Sequence, residues 1–240
     1  MTHAESVIRA PFAPPVHGFC TTRRGGVSSP PFDSFNLGMA CGDDPADVES
    51  NRSRLRSLLP ASPCWMRQVH GTRTIHLDDW TEGIEADAAW TDRPGQVACV
   101  LAADCLPILV AEAGQGCVAA IHAGWRGLAA GVIANAIAAL PADPGRLQAW
   151  IGPRICRRHY QVDSVVRTAF DDYAGAFEAT GQTRWLADLA RIAGQQLFNA
   201  GVGRVTDSKI CTAEGDRFFS YRRDKQTGRM AACIWKQAAS

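Results

Sequence analysis

Short β-type runs at residues 65–69, 72–77, 97–101, 107–111 and 117–121 follow one another with no helical segment long enough to separate them. A parallel crossover needs a dozen or more residues, usually a helix, between its strands. The runs mostly neighbour one another instead of alternating regularly with helices, and the pattern predicts an α+β fold rather than a doubly wound sheet. Further strands are expected at 16–22, 147–151, 205–210, 217–221 and 230–235. Asp44 followed by Pro45 marks a helix start, with Val48, Leu55, Leu58 and Leu59 on one face and a stop at Pro60. Residues 127–140 have helical composition and stop at Pro141. Asp163 can cap a helix running to residue 177, and a last helix over 185–200 ends at Gly201. With no internal repeat or low-complexity linker, the 240 residues are read as one domain over 16–240 preceded by a proline-scattered N-terminal extension, 1–15.

Composition narrows the function. The chain is 46% hydrophobic and 20% charged, which is ordinary for a globular protein. Its net charge of +1 supplies no bulk field for nucleic acid or an anionic membrane, so neither is an expected partner and any basic site must be local. The apolar stretches 97–110 and 116–140 are interrupted by Asp104 and by His122 and Arg126, leaving no span for a bilayer. The N-terminus has no secretory pattern, and nine cysteines without CxxC spacing do not form a disulfide framework. A cytoplasmic protein with reduced thiols is expected.

Three segments place a metal-capable side chain at the end of an apolar run: Gln68-Val69-His70-Gly71, Ala103-Asp104-Cys105-Leu106, and Ile121-His122-Ala123-Gly124-Trp125-Arg126-Gly127. Two imidazoles and a thiolate suit zinc and leave a fourth tetrahedral position for water or substrate. Taken singly each has a plainer reading, the histidines as hydrogen-bonded core residues and Cys105 as a small buried hydrophobe. Glycines beside His70 and His122 favour the first reading, because they let the backbone turn sharply or approach a ligand. Asp104 is a carboxylate in an apolar stretch and needs a partner. It can anchor an imidazole, transfer a proton, or serve as a structural acceptor. Arg23-Arg24-Gly25-Gly26-Val27-Ser28 combines guanidinium groups with backbone donors as an anion site, without P-loop spacing. Phe218-Phe219-Ser220-Tyr221-Arg222-Arg223-Asp224 reads equally as a sheet-edge strand with a salt-bridged turn or as a substrate wall.

Together these segments, with Asn36-Leu37-Gly38, Asn51-Arg52, Ala86-Asp87-Ala88, Ile151-Gly152-Pro153, Asp207-Ser208, Cys211-Thr212 and Thr227-Gly228-Arg229-Met230-Ala231, resemble the laccase-domain, YfiH-like family over nearly the whole chain. Members of that family are described as polyphenol oxidases and as purine nucleoside phosphorylases. The resemblance implies a four-layer αββα sandwich and a metal triad of His70, Cys105 and His122, holding zinc with copper as the other option. It implies phosphorolysis of adenosine, inosine, guanosine and methylthioadenosine, and hydrolytic deamination of adenosine, with purine nucleosides and phosphate as partners. Cys105, His70, His122 and Asp104 are then the catalytic candidates; Arg23, Asn36, Arg222 and Arg223 are the substrate and phosphate candidates, with Arg23 first for phosphate. Cys156-Arg157-Arg158 stands where the family often repeats a Gly-Pro turn, and Ala103 where many relatives have Thr.

Other functional classes compete. Without metal, Cys105 activated by His70 or His122 would be the nucleophile of a hydrolase, such as an amidase editing a peptidoglycan precursor. A non-catalytic metal- or nucleoside-binding protein would hold zinc without turning over inosine. A copper polyphenol oxidase is the remaining alternative, but the six histidines, His3, His17, His70, His76, His122 and His159, are too few for several copper centres.

Overall fold

The computed structural model describes residues 6–114 and 116–238; the first five residues of the expected extension, His3 among them, lie outside the described residues. In chain order the strands are β1 (Val7–Arg9), β2 (Val16–Thr21), β3 (Thr74–His76), β4 (Ala88–Thr91), β5 (Ala98–Ala102), β6 (Leu106–Glu112), β7 (Val118–Ala123), β8 (Leu147–Ile151), β9 (Gln161–Val162), β10 (Phe177–Ala179), β11 (Trp185–Ala187), β12 (Arg204–Asp207) and β13 (Met230–Lys236). The α-helices are α1 (Pro45–Arg56), α2 (Trp125–Ala130), α3 (Val132–Ala138), α4 (Ser164–Thr168), α5 (Leu189–Asn199) and α6 (Tyr221–Asp224). A four-stranded sheet runs β1-β2-β13-β5, a six-stranded sheet β12-β8-β6-β7-β4-β3, and a small three-stranded sheet β10-β11-β9. Pairing is antiparallel except for β3 with β4 and β8 with β12.

The central strands read as unbroken apolar runs because both of their faces are covered. Along β6, Ile108 and Val110 pack into one core with Leu128, Ile133, Ile192 and Leu197 of the helices, while Leu109 and Ala111 face a second core. That second core joins the two larger sheets, with Val100, Ala232 and Ile234 opposite Leu109, Ala120 and Trp150. A third lies on the far face of the four-stranded sheet, where Cys99, Ala231, Cys233 and Trp235 meet Leu55, Leu59 and Leu37. The fold is thus a mixed α/β single domain with several sheets. Among the described residues no helix is long and apolar enough to cross a membrane.

Several elements differ from expectation, each for a local reason. Residues 65–69 make only a bridge, Arg67 to Glu85, because the backbone that follows turns at His70 with φ 59°. The helix expected over 127–140 is two helices, since Gly131 between them takes φ 90°. Asp163 does cap a helix, but α4 lasts five residues before 3-10 turns and β10. Residues 185–187 are strand; Asp188 then starts α5 by accepting the Arg191 N–H at 3.0 Å. The 205–210 run becomes Arg204–Asp207, where the Asp207 side chain takes the Lys209 N–H at 2.7 Å. In place of a strand at 217–221, Ser220 caps the short helix α6. Strands β1 and β4 and the small sheet of β9, β10 and β11 differ from expectation too; β1 lies inside residues 1–15 and pairs with β2.

Candidate metal centre

The register of the six-stranded sheet gathers the candidate ligands. Leu106 pairs with Ala123, and Pro107 with His122, so Cys105 just before β6 meets the end of antiparallel β7. Ala88 pairs with Ile121, which brings Asp87, just before β4, to the same sheet end. His70 arrives on a loop. There the Gln68 amide accepts the Leu101 N–H at 2.7 Å and donates to the Leu101 carbonyl at 2.8 Å, docking the loop on the exposed edge of β5.

The ligand atoms of His70, Cys105 and His122 all lie within 4.8 Å of one another. Cys105 Sγ is 3.8 Å from His70 Nε2, and the two imidazole rings meet edge to face with centroids 4.8 Å apart. His122 is buried, Cys105 half-buried and His70 exposed, so the group opens to solvent on the His70 side. A Cβ on Gly124 would stand 2.7 Å from His70 Cδ2 and 3.0 Å from Cys105 Sγ; only a glycine lets the backbone pass this close to both.

Asp87, completely buried, organises the group. Its carboxylate accepts N–H bonds from Val69 at 3.2 Å, His70 at 3.0 Å and Gly71 at 2.7 Å, and it lies 2.8 Å from His122 Nδ1. Occupying Nδ1 turns Nε2 of His122 toward Cys105 and fixes the ring's tautomer and orientation. Burial alone would raise the Asp87 carboxyl, but the His122 bond and the backbone N–H groups outweigh it and hold the group below its ordinary value. Burial likewise pushes the Cys105 thiol up; His122 and His70 reverse this and bring it down from 9.0 to about 6. The converse holds at His122: burial disfavours its charge, while the Cys105 thiolate and Asp87 raise it from 6.5 to about 9. In the metal-free chain each group thus favours the charged form of the other, and the surroundings of the sulfur favour the thiolate that a cation would bind.

The other candidate residues are committed elsewhere. Asp104 does not anchor an imidazole; its carboxylate accepts from Thr212 Oγ1 and from the Arg222 N–H, both at 2.6 Å, while its backbone takes φ 93° to turn the chain into Cys105. The Arg23–Ser28 segment is not an open anion cradle, because its donors are used internally. Gly26 N–H binds Ser34 Oγ, Val27 N–H binds Asn51 Oδ1 and Ser28 N–H binds the Ser34 carbonyl. The Arg23 guanidinium binds the Asp33 carbonyl at 2.6 Å and its carboxylate at 2.8 Å, lies 4.0 Å from Asp224, and covers the Phe219 ring. Asn36 is completely buried, its oxygen accepting the Gly38 and Arg229 N–H groups and its amide reaching Asp43. Arg223 is held by Asp224 and by the carbonyls of Thr212, Gly215 and Phe218. Arg222 remains near the centre: Asp104, next to Cys105, holds its backbone, and its guanidinium lies 4.9 Å over the Tyr160 ring while donating to the Gln161 carbonyl. Burial and the Cys105 charge push the Tyr160 hydroxyl up, and Arg222 and Arg126 oppose them, which places both arginines in the electrostatic surroundings of the centre. Arg126 is exposed and stacked on Trp125. Asp87 and Arg126 were not picked out as site residues from sequence, although Asp87 showed the same signal as Asp104, a carboxylate in an apolar run.

Fold and site define a class: a mixed α/β domain that gathers a thiolate and two imidazoles at one end of a buried sheet, over a carboxylate. The family described as multi-copper polyphenol oxidoreductase laccase matches residues 17–237, and the chain belongs to it. The purine nucleoside phosphorylase YfiH of Escherichia coli (strain K12) is 45% identical over 222 residues, covering 90% of this chain and 91% of its own. The purine nucleoside phosphorylase of Haemophilus influenzae is 43% identical over 92% of this chain and 94% of its own. Among solved structures, a protein of Neisseria meningitidis superposes with a TM-score of 0.93 at 38% identity, covering 97% of this chain and all (100%) of that one. YlmD from Geobacillus stearothermophilus gives 0.91 at 30% identity, covering 99% and 98%.

Proposed function

We propose that this chain is a zinc-dependent purine nucleoside phosphorylase acting on adenosine, inosine, guanosine and methylthioadenosine, with adenosine deaminase activity at the same centre. The observation that carries this reading is the convergence of His70, Cys105 and His122 over Asp87, in a chain whose relatives bear the phosphorylase name. The donor set fits a borderline-soft divalent ion, zinc before copper. When bound, such an ion supplies Lewis-acid polarisation of a substrate oxygen or water.

The chain's own groups do the rest. Asp87 keeps His122 oriented, and the Gly124 backbone leaves room above the sulfur. Arg222 and Arg126 hold the phosphate dianion for attack on the sugar carbon. As the new C–O bond forms, the glycosidic C–N bond breaks and its electron pair leaves with the purine. The Tyr160 ring under Arg222 forms one wall. In deamination, water adds at the amino-bearing purine carbon and ammonia leaves. The three cores support the helix–sheet–sheet–helix order that the resemblance implies, and the nine free thiols suit a reducing cytosol.

The deciding assay measures hypoxanthine release from inosine with and without phosphate on metal-quantified protein. Release should require phosphate and should fall at least ~100-fold in Cys105→Ala, the scale of losing a group that stabilises the transition state. Unchanged turnover in that variant would remove the centre from the reaction. The placement of Cys105 Sγ 3.8 Å from His70 Nε2 and beside His122, with the thiol lowered by both imidazoles, favours a second reading, a cysteine hydrolase. Rapid alkylation of Cys105 in metal-free, active protein would favour it over the first.

A further inference from the structure

A second group of metal-capable side chains lies apart from the centre described above: Cys156, His159, Cys211 and Glu214, whose ligand atoms all fall within 4.8 Å of one another. The spacing is paired, Cys-x-x-His in the turn after β8 and Cys-x-x-Glu in the loop after β12, so each short turn contributes two donors. A parallel bridge between Arg154 and Cys211 clips the turns together, with Arg154 N–H to the Ile210 carbonyl at 3.2 Å and Thr212 N–H to the Arg154 carbonyl at 3.0 Å.

The distances have the scale of a coordination shell. Tetrahedral ligands at about 2.0–2.3 Å from an ion stand about 3.3–3.8 Å from one another. Here Cys156 Sγ is 3.4 Å from His159 Nδ1 and 3.7 Å from Glu214 Oε1; His159 Nδ1 is 3.5 Å from Cys211 Sγ and 3.7 Å from Glu214 Oε1. The Cys156 N–H points at Cys211 Sγ from 3.2 Å and favours the thiolate there, against burial and the Cys156 side chain, which hold the Cys211 thiol above its ordinary value in the metal-free chain. The electrostatic surroundings also match. Two thiolates and a carboxylate around a divalent ion leave one net negative charge, and the same hollow is lined by Arg154, Arg157, Arg158 and Lys209 against one further carboxylate, Asp188. Arg158 pairs with Glu214, and Arg154, buried, has Nε and Nη1 without a protein partner among the described residues.

We propose that Cys156, His159, Cys211 and Glu214 form a second, structural zinc site that ties the turn after β8 to the loop after β12. Both thiols release their protons to solvent on binding, and with four protein ligands the site is closed rather than catalytic. It does not depend on the phosphorylase reading.

The test uses full-length Cys105→Ala protein, in which the first centre has lost its thiolate, titrated with zinc and, as a spectroscopic probe, cobalt(II). We expect one tight equivalent of zinc, a sulfur-to-cobalt charge-transfer band, and a melting temperature that rises on zinc addition. Adding Cys156→Ser or, separately, the exposed-site change His159→Asn should weaken binding at least tenfold and diminish the band and the thermal shift. Either variant suffices if the other folds poorly. The absence of a stoichiometric equivalent in Cys105→Ala, or a band unchanged by both second substitutions, would overturn the proposal. So would a Cys156–Cys211 disulfide, seen by mass in protein purified without reductant.

Discussion

Asp87 has no contact with solvent, yet the geometry of the metal centre passes through it. Asp87→Asn replaces an acceptor-only carboxylate by an amide that must turn an N–H toward His122 Nδ1 or toward the backbone N–H groups of Val69, His70 and Gly71. Zinc affinity should drop about 10–100-fold, the range for removing a group that orients a ligating histidine, and competition with a chromophoric chelator measures it. The carboxyl also sets an acid limit. Because its folded-state value lies below the ordinary 3.8, its contribution is present at neutral pH and is lost as pH falls below 3.8 through the lower folded value. Urea unfolding of the metal-free protein should therefore show a wild-type advantage over Asp87→Asn at pH 7 that shrinks toward pH 3. Gly124→Ala separates site from fold: the added methyl meets His70 Cδ2 and Cys105 Sγ, and the exposed His70 ring can swing away. Zinc binding should be lost while the melting temperature stays within a few degrees of wild type. The candidate ligands stood out in sequence because each ends an apolar run, the two histidines with glycine close by, and the structure brings the three together. Their support did not stand out. Asp87 and Asp104 are alike in sequence, both carboxylates in apolar surroundings, and only strand register shows that Asp87 faces the imidazole while Asp104 faces Thr212 and Arg222.

At the scale of elements, what sequence could tell depended on whether the decisive contact was local. Asp44 and Pro45 start α1 through the Ala46 N–H at 2.8 Å, an interaction contained in adjacent residues, and that start was legible. Residues 65–69 have strand composition, but the groups that occupy their backbone come from the Trp80 indole and from Ile84, Ala86 and Asp87, while the edge of β5 is met only by the Gln68 side chain, and no local window of sequence contains these contacts. The 127–140 segment was read as helix correctly in kind, yet composition does not reveal that Gly131 adopts φ 90° with open space beside its Cα. That conformation carries a prediction. An alanine there meets no neighbouring atom and gains helix propensity of up to ~1 kcal/mol elsewhere in a helix, but a side chain in the left-handed region costs roughly 1–2 kcal/mol. Strain decides the sign: Gly131→Ala should be neutral to destabilising, by no more than about 2 kcal/mol in urea titration. A stabilised variant would mean that α2 and α3 can merge into one helix.

The whole molecule is held by faces that sequence alternation cannot label when both are apolar. Leu109 and Val110 are equally hydrophobic, yet one faces the opposite sheet and the other the helices. Leu109 also touches the sheet opposite where it lacks a side chain, since its Cδ1 would be 3.1 Å from a Cβ on Gly18. Leu109→Ala opens a hole at this junction and should cost ~2–5 kcal/mol, as other leucine truncations in packed cores do. Its diagnostic value lies in how the loss is distributed. Fluorescence from Trp235 beyond the four-stranded sheet and Trp150 between the sheets, read in a protein whose helix-side tryptophans Trp90, Trp125 and Trp185 are replaced by phenylalanine, reports on the sheets, whereas far-ultraviolet circular dichroism weights the helices. If one cooperative unit spans residues 16–240, the two probes should give coincident urea transitions in that background, and both should move by the same amount on adding Leu109→Ala. Separate transitions, with only the fluorescence step displaced, would mean that the four-stranded sheet unfolds on its own and that the single-domain reading fails. Coincidence is the expected result because the strands feeding the metal centre, β4, β6 and β7, use opposite faces of the same residue runs to hold the helices and the second sheet, so neither layer can leave without exposing the other.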